Sequence, residues 1–239
     1  TFNVLSNDSP TGDVALLSFT ALNPSGPSLT KNSDGTFTFN GNTVGSFTFD
    51  YTASGRQNKI TASDGDISDN FGNSVAISGD TVVVGAYKDN IGSNDNISSN
   101  SDQGSAYVFV LSNNSWVLQQ KLTASDGASY DSFGYSVSIS GDTIAVGNSN
   151  SSGGGGFSGG FSSSTTQGSA YVFIRSNNTW TQQQKLTASD GAYGDCFGSS
   201  VFVSIDTIVV GAYSDDNGSN TDQGSAYVFV RSSNTWTQQ

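Results

Sequence analysis

One passage of text occurs three times in this chain, and nothing else in the sequence restricts the fold as much. Lys59 opens KITASDGDISDNFGNSV, Lys121 opens KLTASDGASYDSFGYSV and Lys185 opens KLTASDGAYGDCFGSSV, at offsets of 62 and 64 residues. Each copy continues through D-T-[VI]-[VA]-V-G, then Q-G-S-A-Y-V-F-[VI], then an S-W or T-W segment ending in glutamines. A unit recurring at that period forms the same substructure each time and buries its apolar surface against its neighbours. The copies are 59–120, 121–184 and 185–239, and residues 1–58 do not share their pattern.

Each copy reads as four short strands separated by turn residues. In the first they are roughly Gly72–Ser78, Thr81–Ala86, Ala106–Leu111 and Trp116–Leu122. Ser78-Gly79-Asp80-Thr81 is a two-residue hairpin signal. The third copy has Ser204-Ile205-Asp206-Thr207 at that place, and Ile suits a left-handed backbone poorly, so its turn is expected to change type. The second and third strands are apolar on both faces, with Val82, Val84 and Ala86 opposing Val83, and Ala106, Val108 and Val110 opposing Tyr107 and Phe109. Strands of that kind lie inside a stack of sheets. The fourth strand, such as Thr179–Gln184, is largely polar and suits a solvated edge. Four antiparallel strands with a buried middle, repeated about every 60 residues, describe an all-β protein of three propeller-type blades.

The charge narrows the chemistry. Eight Lys and Arg face twenty acids, all of them Asp, for a net charge of −12, and the chain has no His and no Met. Too few cations are present for a phosphate-binding stripe, which argues against nucleic acid. Without His there is no Ser/His/Asp relay, and a lone Cys196 excludes an internal disulfide and a CxxC zinc motif. No apolar run approaches the roughly 20 residues that cross a bilayer.

F-G-x-S-V followed by a Gly-Asp turn and V-V-G-A resembles the FG-GAP repeat, the blade unit of integrin-α-type propellers. The motif stands at Phe71-Gly72, Phe133-Gly134 and Phe197-Gly198, with matching Gly85-Ala86 and Gly211-Ala212; the middle copy departs with Gly147-Asn148. The resemblance implies an extracellular protein serving adhesion or ligand binding, without catalysis. Calcium-binding members carry D-x-D-x-D-G between the first two strands. Here that loop has shrunk to a two-residue turn, which cannot supply the six to eight oxygens, at about 2.4 Å, that the ion takes. That site is therefore not carried over. In residues 1–58, Asn3–Asp8 and Asp34–Phe39 resemble the V-L-x-N-D and D-G-T-F-T-F elements of bacterial cadherin-like or Ig-like modules, with a further alternating strand at Gly45–Tyr51. The resemblance implies a small, partial β-sandwich; a degenerate extra blade is the competing reading of these residues. Both ends then cut through a structural unit, as in a piece of a longer secreted protein.

Several residue sets are candidates for function. Asp64 with Asp69, Asp126 with Asp131, and Asp190 with Asp195 are turn residues or paired cation ligands. The loops between second and third strands carry Asp89, Asp95, Asp102, Asp215, Asp216 and Asp222, whose oxygens suit calcium or a solvated connection. The middle copy replaces that loop with the Gly/Ser tract Ser149–Thr166, which includes Gly153–Gly156, Phe157 and Phe161. Trp116, Trp180 and Trp236 read as plugs between blades or as a sugar-stacking row. Cys196 holds the slot of Asn70 and Ser132. Three blades cannot close a ring that takes roughly four to eight, so the open faces call for further blades beyond this sequence, for association of chains, or for residues 1–58 as a cap. The expectation is thus a non-enzymatic surface or adhesive protein that self-associates through open blade edges and incomplete terminal strands. The alternative is a module binding calcium, carbohydrate or protein through the Asp/Asn loops. An Asp-based hydrolase is a third reading, and it requires a concave acid pair.

Overall fold

The computed structural model describes residues 15–19, 28–31, 37–40, 51–54, 58–91, 102–149 and 167–239. Asp95, the tract holding Gly153–Gly156, Phe157 and Phe161, and the motifs at 3–8, 34–36 and 45–50 lie outside the described residues. The chain divides into two compact units, Thr1–Lys59 and Ile60–Gln239. The first contains two antiparallel pairs. β1 (Ala15–Phe19) pairs with β4 (Tyr51–Ser54), and β2 (Ser28–Lys31) pairs with β3 (Phe37–Asn40).

The second unit is three four-stranded antiparallel sheets. Blade 1 holds β5 (Ser74–Ser78), β6 (Thr81–Ala86), β7 (Ser105–Ser112) and β8 (Ser115–Leu122). Blade 2 holds β9 (Phe133–Ser140), β10 (Thr143–Asn148), β11 (Ser169–Ser176) and β12 (Thr179–Leu186). Blade 3 holds β13 (Phe197–Ser204), β14 (Thr207–Ala212), β15 (Ser225–Ser232) and β16 (Thr235–Gln238). Within each sheet the strands lie side by side in chain order, as hairpin connections dictate. No helix occurs among the described residues.

The blades stack face to face, and β9 lies against both β5 and β13. Between blades 1 and 2, Val83, Ala106, Val108 and Leu122 meet Val137, Ile139, Ile144, Val146 and Trp180. Between blades 2 and 3, Ala145, Ala170, Val172 and Leu186 meet Val203, Ile208, Val210 and Trp236. The two-faced apolarity of the middle strands thus serves two different interfaces, one on each side of the sheet.

Two expectations change. The third hairpin keeps the turn of the others. Ile205 adopts φ 54°, against 55° at Gly79 and 56° at Gly141, and its turn aligns Ser204 with Thr207 as before. The strand register overrides the side chain's preference. The first strand of blade 1 begins at Ser74 rather than Gly72, whereas β9 and β13 begin at the Phe of their F-G and run on through a glycine of the same positive φ.

Candidate functional site

The repeated motif residues converge on the junctions between blades. The Phe of each F-G packs edge-on against the Tyr of its own third strand, with ring centroids 5.4 Å apart for Phe71–Tyr107 and Phe133–Tyr171. The backbone beside it reaches the preceding blade. Phe133 N–H donates to Gln103 O at 2.9 Å, and Phe197 N–H donates to Gln167 O at 2.8 Å. Gly134 and Gly198 lie so close to the preceding blade that their carbonyls occupy the space a side chain would need there. A Cβ added to Gly85 would stand 2.0 Å from Gly134 O, and one added to Gly147 would stand 2.0 Å from Gly198 O. The F-G of one blade and the V-G of the blade before it are therefore two halves of one contact.

The polar fourth strand does more than edge a sheet. Gln120 of blade 1 binds both backbone groups of Trp180 in blade 2, donating from Nε2 to its carbonyl and accepting from its N–H at Oε1, each at 2.8 Å. Gln184 does the same for Trp236. A bulge beside the preceding residue turns Gln119 and Gln183 out of the ladder, and each accepts the indole N–H of the following blade's Trp at 2.9 Å. Trp180 and Trp236 are both 2 % exposed. They fill the blade junctions, with Arg175 and Arg231 over their rings at 5.1 and 5.4 Å.

The Asp of the repeats divide into two roles. Asp69, Asp131 and Asp195 each accept a backbone N–H three residues back, from Asp66, Ala128 and Ala192. These are turn bonds. Burial raises all three pKa values; the charge of Asp89 adds to the effect at Asp69, and those of Asp215 and Asp216 add to it at Asp195. Asp64 and Asp126 instead join the Lys of the next repeat. Asp64 accepts from Tyr107 Oη at 3.0 Å and from Lys121 Nζ at 2.7 Å; Asp126 accepts from Tyr171 Oη at 2.9 Å and from Lys185 Nζ at 2.7 Å. Burial opposes their charge, but the ammonium and phenol bonds outweigh it and hold both carboxyls below the usual range.

The loop acids fall at separate places. Asp89 is buried against blade 1, accepting from Ser105 Oγ at 2.5 Å and Tyr107 Oη at 2.9 Å, with Lys121 Nζ at 2.6 Å. Asp102 donates its N–H to Asn90, and Asp222 donates its N–H to Asp216 Oδ1 at 2.8 Å. Asp102 and Asp222 both have positive φ, so these bonds close loops. Asp215 is buried near Tyr227 and Asp195. No group of three or more acidic, His or Cys side chains capable of holding a metal forms among the described residues. The hairpin Asp142 and Asp206 instead pair with Arg175 and Arg231. A two-residue turn whose carboxylate is already engaged by Arg does not fit calcium.

A pocket lies outside every residue set that the sequence singled out as a whole. It has a volume of about 250 Å³ and lies where blade 2 meets the start of the third repeat, lined by Asn148, Gln167, Ser169, Lys185 and Tyr193 among others. The Asn148 departure from the G-A pattern marks it in the sequence.

At the free side of blade 3 the stacking positions are uncovered. Phe202 is 62 % exposed and Val228 39 %, whereas their counterparts Ser138 and Val172 in blade 2 are buried by blade 3.

A family model described as "FG-GAP repeat" matches residues 55–109, 116–173 and 180–229, more than half of the chain. No curated protein matches it. Among solved structures, the crystal structure of Saccharomyces cerevisiae Sqt1 is similar at 10% identity with a TM-score of 0.42. The likeness covers 72% of this chain and 35% of that one, so the chain spans about a third of that protein's length.

Proposed function

The chain belongs to the FG-GAP repeat family, and from that premise we propose that it is a non-enzymatic structural or adhesive protein of the cell exterior, whose blades join those of a second copy. The uncovered face of blade 3 carries this reading. Phe202, Val209, Ala226 and Val228 hold the positions that in blades 1 and 2 are covered by the following blade. The occupant that fits this face is another blade of the same kind, because the two internal junctions repeat one contact scheme and Val209, Gly211, Ala226 and Val228 repeat the positions that Ala145, Gly147, Ala170 and Val172 hold in the second of them. Repetition of a head-to-tail contact produces rings or filaments, according to whether the rotation closes. FG-GAP repeats typically occur in extracellular proteins, which supports the location. No described helix is long and apolar enough to cross a membrane. For residues 1–58, which lie almost entirely before the family match, the cadherin-like reading rests on their own two motifs.

Light scattering behind a sizing column tests the proposal. Residues 1–239 are expected to run as oligomers whose mass grows with concentration, and Phe202→Asp is expected to return them to a monomer near 24.7 kDa. A wild-type monomer at high concentration would overturn the assembly reading.

A further inference from the structure

Blade 2 repeats the Ser, Tyr and Lys that hold a buried carboxylate in blade 1 but not the carboxylate, and a pocket lies against two of the three. In blade 1, Asp89 is 3 % exposed and is held by Ser105, Tyr107 and Lys121. All three partners recur in blade 2 as Ser169, Tyr171 and Lys185. The acid does not: Asp89 stands four residues after Gly85, and the residue four after Gly147 is Ser151. The whole tract Ser149–Thr166 contains no Asp or Glu, so the loop itself has no carboxylate to offer. Among the described residues Lys185 has one carboxylate partner, Asp126, where Lys121 has two.

Ser169 and Lys185 both line the pocket, together with Asn148, Gln167, Thr187 and Tyr193. Asn148 is 4 % exposed, and its Oδ1 accepts no hydrogen bond from the described residues. A buried acceptor left without a donor is costly, and a hydroxyl group would satisfy it. Asp131 also lines the pocket, yet its Oδ2 accepts Ala128 N–H. In blade 1 the equivalent Asp69 already coexists with Asp89, so an acid at this place does not exclude a second one. Tyr193, 61 % exposed, belongs to the lining and offers a ring face for a ligand to lie against.

We propose that this pocket binds a small hydroxylated carboxylate, a sugar acid of hexuronate size, whose carboxylate takes the place that Asp89 holds in blade 1. Lys185 and Ser169 receive the carboxylate, and Asn148 Oδ1 accepts one of the hydroxyls. The inference goes beyond the assembly reading and does not depend on it.

Calorimetric titration of the whole chain with D-glucuronate, D-glucose and acetate tests it. Glucuronate is expected to bind saturably, with glucose and acetate each about tenfold weaker or more, since each lacks one of the two recognised groups. Lys185→Gln combined with Asp126→Asn removes the cation and its partner together. That variant is expected to lose binding while unfolding cooperatively, and the same pair of changes at Lys121 and Asp64 is expected to leave binding intact. Absence of saturable glucuronate binding, equal affinity for glucose or acetate, or binding that survives in the Lys185/Asp126 variant would each overturn the proposal.

Discussion

Ile205 shows how far a repeat can impose geometry on an unsuitable residue. It holds a left-handed φ of 54° at an exposed turn where the other two copies have Gly. A β-branched side chain there costs about 1–2 kcal/mol, partly offset by the greater freedom Gly has in the unfolded chain. Ile205→Gly is therefore expected to stabilise the chain by roughly 0.5–1 kcal/mol, read from the urea midpoint. Charge at single residues works in opposite directions within one repeat. Asp126 has its pKa lowered by Lys185 and Tyr171 against the pull of burial, so it favours folding above the ordinary carboxylate range. That contribution disappears as pH falls through its lower folded value. Asp131 is raised by burial, so its contribution declines as pH rises from the ordinary value through the raised one. Asp126→Asn is accordingly expected to cost about 0.5 kcal/mol at neutral pH, the pair being half exposed to solvent, and to cost nothing near pH 2. Denaturant titrations at the two pH values check this, and an equal cost at both would contradict the ion-pair assignment.

At the scale of the strand, the glutamine-rich edge is the part whose role was hidden. A run such as Gln182-Gln183-Gln184 is polar by composition and alternates no apolar face, so it reads as a solvated edge. The structure gives each glutamine a different duty, because the bulge puts neighbours out of step. An amide side chain offers the same donor and acceptor as a peptide group. Gln120 therefore acts toward Trp180 as a one-residue strand. Gln120→Ala leaves both Trp180 backbone groups unpaired beside a buried indole and is expected to cost about 1–3 kcal/mol. Gln120→Glu, which can accept but not donate, is expected to keep part of the loss, and the difference between the two variants measures the donated bond. The hairpins, the two-faced middle strands and the Trp plugs were legible, because each follows from turn chemistry or period-two patterning. The Lys–Asp–Tyr clusters were not. Asp64, Tyr107 and Lys121 are far apart in sequence and meet only when the next repeat's first residues cross the third strand of the blade before it. The pocket was hidden for the same reason, being defined by what one copy lacks relative to another.

For the blade stack as a whole, one glycine separates folding from assembly. Gly85, Gly147 and Gly211 are the same position in three blades. At Gly85 and Gly147 a Cβ would meet the backbone carbonyl of the next blade at 2.0 Å, so Ala there forces two packed sheets apart. At Gly211 the nearest atom is Ser200 Oγ at 2.3 Å, the end of a side chain that can rotate away. Gly85→Ala and Gly147→Ala are thus expected to destabilise by about 2 kcal/mol or more, in the range of overpacked cores. Gly211→Ala is expected to unfold near the wild-type midpoint. If a second copy seats its F-G against blade 3 as blades 2 and 3 seat theirs, the added methyl meets that copy's carbonyl. Gly211→Ala then stays folded and becomes monomeric, by thermal melt and light scattering on one preparation. A Gly211→Ala chain that assembles as the wild type does would show that copies meet by some surface other than the one their own blades use.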